Sequence, residues 1–287
     1  MSGYTILATF ELGFIYAILA LGIFLSYRIL KITDLTMDAS FVTGSAIYAV
    51  CAQAGIAGPG FLTAFGGGML AGAVSALLHI KGKIPPILAG IITMTGFYSI
   101  NARILGNKAN ISLFHLPGLL HAMPLGQRFL LLAGIALVCA GILYWFLLTR
   151  LGMNIRAVGE NEQMVRTLGI NPDQMKFIGM ILSNGLVALA GALITTYQQF
   201  ADLNGGVGIM VMGMVSVILA EAMIPIKQLG VRIFSVIAGS VAYRFILTLA
   251  LQLGIQAVDL KLLCAIFLTV ALLAPNRLGG KRHASHS

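Results

Sequence analysis

Long apolar runs separated by short charged connections set the pattern of this chain. No Asp, Glu, Lys or Arg occurs between Asp38 and Lys81, between Arg128 and Arg150, or between Lys176 and Asp202. A helix crossing a bilayer needs about 20 apolar residues, and within hydrocarbon its backbone polar groups must be satisfied internally. Nine segments fit, at about 5–26, 39–57, 60–80, 86–106, 128–148, 178–199, 207–226, 232–253 and 259–274. The pattern predicts an all-α, polytopic transmembrane helix bundle of about 8–10 helices. Some of these are broken or re-entrant, with breaks expected at Pro85-Pro86 and Gly205-Gly206. The connection at 107–127, with two prolines, has room for a short external helix. Residues 1–287 read as a single integral-membrane domain with a charged loop at 150–176 and a polar tail at 276–287.

Composition strengthens this picture. Charged residues are 9% of the 287 and mean hydropathy is +0.96, whereas soluble domains carry about 25% charge. The 34 glycines suit helices that pack closely in lipid. Gly66-Gly67-Gly68 and Gly205-Gly206 are candidates for close contacts between subunits. A net charge of +9 does not point to nucleic acid, because the basic residues gather in short connections as the positive-inside rule expects. Arg150, Arg156, Arg166 and Lys176 share one connection. Lys81 and Lys83 follow the third segment, Lys227 and Arg232 flank another loop, and Arg277, Lys281 and Arg282 lie in the tail. These stretches are expected to be cytoplasmic and the N-terminus external, with residues 5–26 a retained first helix. Cys51, Cys139 and Cys264 are far apart and lack metal-site spacing, as do His79, His115 and His121, while His283 and His286 are three apart but lie in the polar tail. No motif for catalysis and no cofactor site is read in this chain.

The loop Arg150–Lys176 is the most unusual stretch. Glu160 and Glu162 favour the start of a helix, since carboxylates complement the macrodipole there. The sequence predicts a short helix over Glu160 to Leu168, stopped by Gly169 in a left-handed backbone. The next helix starts at Asn171-Pro172, with Pro at its first position. Met164, Val165 and Leu168 are expected on one exposed side, where apolar residues suit docking to a partner.

At this point the chain resembles a known family. RAVGENEQMVRTLGIN (156–171), followed by MKFIGMILSNGLVALAGAL (175–193), is similar to the coupling region of ABC-importer permeases of the branched-chain amino-acid and ribose type. Members linked with aromatic amino acids are nearest. ALGIFLSYRILKITDLTMDASF (20–41) resembles that family's first-helix end and Asp-Leu-Thr turn. GGVGIMVMGMVSVILAE (205–221) resembles its later Gly-rich helix. The family's loop commonly has Glu-Ala-Ala where this chain has Gln163, Met164 and Val165. Its turn often reads Asp-Gly where this chain has Asp38-Ala39.

The resemblance implies a permease subunit in a bacterial inner membrane, forming a pathway for a small solute such as an amino acid. It implies pairing with a second permease subunit, as homodimer or heterodimer. It also implies a cytoplasmic ABC ATPase dimer and an extracytoplasmic solute-binding protein. ATP would be bound by the partner ATPase: this chain has no G-x-x-x-x-G-K-[ST] loop to cradle phosphate. ATPase coupling would fall to Glu160, Glu162, Met164, Val165, Leu168 and Gly169.

Polar residues inside apolar segments are functional candidates because they are costly there. Asp34, Thr36 and Asp38 form a turn that the resemblance places near the pathway, with Asp38 also expected to cap the helix beginning at Ala39. Thr93, Tyr98 and Asn101 lie on a polar stripe of the fourth segment, and Asn184 and Arg244 interrupt later ones. Arg244 has Glu221 or Asp259 as possible partners, while Glu11 and Glu221 lie near segment ends, within snorkelling reach of the interface. The competing reading is a secondary transporter driven by an ion gradient, with Glu11, Glu221 and Arg244 as coupling groups.

Overall fold

The computed structural model describes residues 3–116, 120, 123–224, 228–256, 259–260, 262–267 and 269. The tail at 276–287 with Arg277, Lys281 and Arg282, residues 270–274 of the ninth segment, and Lys227 lie outside the described residues. Helix α1, Gly3–Ile23, continues as a π-helical segment, Phe24–Leu30, which ends at Lys31 in a left-handed conformation. Then follow α2 (Thr36–Gln53), α3 (Ala57–Ile80), α4 (Pro86–Ile104), β1 (Asn110–Ser112), α5 (Leu125–Leu148), α6 (Arg150–Glu160), α7 (Glu162–Thr167), α8 (Pro172–Gln198), β2 (Phe200–Asp202), α9 (Ile209–Met223) and α10 (Leu229–Gln252). Among the described residues six helices are long and apolar enough to span a bilayer: α1 with its π extension, α3, α4, α5, α8 and α10. Helix α9, with 15 residues, is too short to do so alone.

The helix starts follow local chemistry. The Asn171 side chain accepts from Asp173 N at 3.0 Å and Pro172 occupies the first turn of α8. Thr149 Oγ1 accepts from Gly152 N to open α6, and Asn161 Oδ1 accepts from Met164 N to open α7. The expected short helix therefore begins after Asn161; Glu160 closes the helix before it. The connection at 107–127 contributes no short helix of its own among its described residues, since α5 begins at Leu125. Instead β1 pairs antiparallel with β2, Asn110 opposite Asp202 and Ser112 opposite Phe200.

Helix α8 forms the centre with α1. Of α8's apolar stretch 67% is buried, against 22% for α4. Ser40 Oγ donates to Asn184 Oδ1 at 2.7 Å, and Ser45 bonds Thr195 at 2.6 Å, so α2 and α8 run parallel. Helix α3 runs antiparallel to α8: Gly68 faces Ala188 and Gly72 faces Met180 and Asn184. Glycines allow these approaches. A side chain at Gly44 would strike the Ala188 carbonyl, and one at Gly191 the Phe41 carbonyl. Without hydrophobic driving force between helices in lipid, such close backbone packing supplies the dispersion contacts. Three of the glycines expected at a subunit contact are used inside the chain instead: Gly67 against Ile47, Gly68 against α8 and Gly206 against Asp38.

One end of the bundle is basic. Arg28, Lys31, Lys81, Arg156, Arg166, Lys176 and Arg232 gather there with Glu160, Glu162, Asp173 and Glu221. The β1–β2 pair lies toward the opposite, far end. Helix α2 does not start at the basic surface. Ser40, in its second turn, is level with Asn184, which lies about 18 Å along α8 from its first residue.

Replacing Gly191 with Leu is expected to drive α2 and α8 apart and destabilise the fold by about 1–3 kcal/mol, the usual cost of overpacking. Thermal unfolding in detergent reads this as a lowered midpoint. Gly66→Ala, where nothing lies within 4 Å, should leave the midpoint no lower.

Candidate functional site

Two helix starts meet inside the bundle, and polar residues collect around them. The chain leaves the π segment, breaks at Ile32–Leu35 and begins α2 at Thr36. Asp34 is fully buried. Its Oδ1 accepts from Thr36 N at 3.0 Å and Ser75 Oγ at 3.1 Å, and its Oδ2 accepts from Asn184 Nδ2 at 2.8 Å. No Lys or Arg among the described residues forms an ion pair with it, so donors from α2, α3 and α8 carry the charge. Helix α4 passes close by at Gly90, where a Cβ would sit 2.7 Å from Leu35 N. The Thr36 hydroxyl is buried without a hydrogen-bond partner.

Asp38 acts at longer range than the sequence suggests. It lies in the first turn of α2, yet its Oδ2 accepts from Gly208 N at 2.9 Å and its Oδ1 from Met210 N at 2.8 Å. It therefore caps α9, about 170 residues away in sequence, with Gly208 left-handed at φ 85°. A carboxylate there complements the partial positive charge of the helix start. Helix α2 begins at Thr36 rather than at the expected Ala39, with Asp34 receiving the Thr36 amide, while the buried start of α9 has no capping side chain of its own.

A cavity of about 310 Å³ opens beside this junction. Asp38, Ala39 and Val42 of α2 form one wall, and Met94, Thr95, Tyr98, Ser99 and Asn101 of α4 form another. Leu203, Asn204, Gly206 and Val207 close it. Asn101 is held by Thr43 Oγ1 at 2.9 Å and donates to Ala39 O at 3.3 Å. Thr93 faces inward and bonds Ala89 O within its own helix. Tyr98, half exposed, lies with Thr95 and Ser99 on the open side of α4. The structure thus brings together Asp34, Thr36, Asp38 and Asn184 at the junction, and Asp38, Tyr98 and Asn101 at the cavity. Arg244 stands apart, 4.6 Å above the Tyr16 ring in a cation–π contact. Its suggested partner Glu221 instead binds Arg28 at 2.6 Å and Arg232 at 2.8 Å.

At the basic end, α7 stands as a separate short helix. Gly169 follows it at φ +77°, as its position at the end of the apolar pattern predicts. Glu160 pairs with Lys31 at 3.1 Å. Glu162 binds Lys176 at 2.5 Å and Arg166 at 3.0 Å, and the Lys176 hydrogen bond, reinforced by Arg166, holds its carboxyl below the usual range. Met164 and Leu168 are exposed. Val165 is not: it is 1% exposed and packed in the main core cluster. The expected three-residue apolar face thus divides, with Val165 anchoring α7 to its own chain and Met164 and Leu168 facing outward.

Sequence reasoning missed one constellation. Glu11 is fully buried; Arg128 Nε donates to its Oε1 at 2.7 Å and Tyr197 Oη to its Oε2 at 3.1 Å. Arg128 also lies 5.4 Å over the Tyr197 ring. The pair joins α1, α5 and α8 at their far-end portions instead of snorkelling to the interface. Glu11, Glu221 and Arg244 occupy separate places with separate partners, so they form no common ion-coupling site.

The helix architecture defines a multi-pass membrane protein. The family model for the branched-chain amino acid transport system / permease component matches residues 5–273, and the chain belongs to this family, whose members are transport subunits. It is 38% identical over 279 residues to a tyrosine transport system permease protein of Clostridioides difficile, covering 97% of this chain and 92% of that one. It is 31% identical over 280 residues to an uncharacterized protein of Rickettsia prowazekii, covering 95% and 98%. A ribose import permease protein of Haemophilus influenzae is 26% identical over 220 residues, covering 75% and 67%. No solved structure matches the chain.

Removing one member of the buried Glu11–Arg128 pair leaves an unpaired charge. Glu11→Leu is expected to cost about 3–5 kcal/mol in thermal unfolding. The double change Glu11→Leu with Arg128→Leu should recover most of that loss.

Proposed function

We propose that this chain is the pathway-forming subunit of an ATP-driven importer in a bacterial inner membrane, with ATP hydrolysed by a separate cytoplasmic ATPase dimer. The observation that carries the reading is α7. Of its six residues Val165 faces the core and Met164 faces water, as does Leu168 directly after the helix. An isolated helix this short is unstable, so its capped and anchored form makes sense as a preformed knob for a groove in a partner. The positive-inside rule then places the basic end in the cytoplasm, where an ATPase would meet α7. The far end would receive an extracytoplasmic binding protein.

The cavity beside Asp38 and the polar stripe of α4 serve as the pathway wall. Thr95, Tyr98 and Ser99 on the open side of a membrane helix suit a watery space better than lipid. A second permease subunit, identical or closely related, would close that space along α4. The solute is a small amino acid, and the likeness to a tyrosine permease favours an aromatic one. A pathway with Met94 and Val42 beside Thr95 and Ser99 admits a side chain of mixed polarity.

Two measurements test this. Met164→Asp with Leu168→Asp should leave the permease inserted and folded while ATP-driven uptake falls to background and the ATPase no longer co-purifies. Normal uptake by that variant would remove α7 from the mechanism. Val165→Asp is unsuitable for the purpose, because it places a charge in the core. Separately, Ser99→Cys in the assembled importer should react with a water-soluble thiol reagent, and Leu137→Cys on the exposed apolar face of α5 should not. Equal reactivity would place α4 outside the pathway.

A further inference from the structure

A second cavity, about 350 Å³, lies at the basic end where the π segment, α6 and the start of α10 converge. Arg28, Arg156 and Arg232 line it, with Glu160, Met153 and Leu229. Its carboxylates are already engaged. Glu160 binds Lys31, and Glu221 just behind binds both Arg28 and Arg232 through one oxygen. Arg156 forms no ion pair among the described residues. Four cations thus face two carboxylates, leaving an excess of two positive charges. Most of the N–H donors of the three guanidinium groups remain available, in the forked geometry that matches phosphate oxygens.

The surroundings of this cavity suit headgroup depth. Tyr144 of α5 lies 3.2 Å from where a Cβ on Gly230 would be, next to Leu229, and its ring is 6.5 Å from that of Phe234. Trp145 beside it is 71% exposed. Aromatic residues of this kind mark the membrane–water boundary. Met153, 50% exposed on α6, gives the cavity an apolar border.

We propose that this cavity binds a phosphate group, and that the aromatic belt and apolar border select the phosphate of an anionic phospholipid in the adjoining leaflet. Basic pockets between membrane helices recognise such headgroups by charge and hydrogen bonding. The inference rests on the membrane position of the chain, not on its solute or on α7.

The test is native mass spectrometry of the full chain in detergent, titrated with phosphatidylglycerol, phosphatidylcholine or inorganic phosphate. Phosphatidylglycerol should bind more tightly than phosphatidylcholine. Arg156→Gln, which breaks no ion pair of the fold, should weaken phosphatidylglycerol about fivefold, the effect of one basic residue at a membrane surface, and leave phosphatidylcholine unchanged. Arg156→Lys, which keeps the charge but not the fork, should recover part of the affinity lost in Arg156→Gln. Equal phosphatidylglycerol binding by the parent and Arg156→Gln would overturn the site. Displacement of phosphatidylglycerol by low millimolar inorganic phosphate would overturn its assignment to lipid. Unchanged lipid binding with loss of the co-purifying ATPase in Arg156→Gln would overturn it in favour of a partner's carboxylate.

Discussion

The carboxylate of Asp38, accepting from the amides of Gly208 and Met210, is the contact on which the interior of this bundle depends. A helix that starts inside a membrane exposes amides that water cannot reach, and each unsatisfied one is costly. Helix α9 starts in that situation, and so does α2. Asp34 serves α2 and Asp38 serves α9, so two broken helices become tolerable at one place. The cavity beside them follows from the same geometry. Where two helices begin, side chains cannot fill space as they do along a continuous pair.

Close packing supports that junction. Gly44 and Gly191 let α2 and α8 touch backbone to backbone, and Gly68 and Gly72 do the same for α3 and α8. This brings Ser75 and Asn184 within reach of Asp34. A larger residue at any of these glycines would separate the donors from the carboxylate they neutralise. Helix α4 completes the arrangement from one side only. Gly90 packs toward Asp34, while Thr95, Tyr98 and Ser99 stay open.

Much of this was legible in the sequence where the cause is local. Asn171-Pro172 marks the start of α8, Pro86 that of α4, and Gly169 the stop after α7, because capping and backbone preference act over a few residues. The polar residues flagged at 34–38 and at Asn184 do meet, since a buried polar group must find donors and few were on offer. Other features depended on partners remote in sequence. Nothing near Asp38 indicates Gly208, and nothing near Asn110 indicates Asp202. Glu11 and Arg128 each lie close to a helix start, and only the count of crossings puts both at the same end. Val165 was misplaced because a six-residue helix is too short for periodicity to tell its inner face from its outer one.

The long reach of the Asp38 cap also bears on how the protein is made. Its two amides are synthesised 170 and 172 residues later. At ~5–20 residues per second, that is a delay of about 10–35 s. Throughout that interval the Asp38 carboxylate lacks the α9 amides that it later receives, and a charge at membrane depth is costly. Helix α2 therefore gains its full set of polar contacts only after most of the chain has left the ribosome. The junction at the centre of the bundle is complete only once α9 arrives, so it closes late.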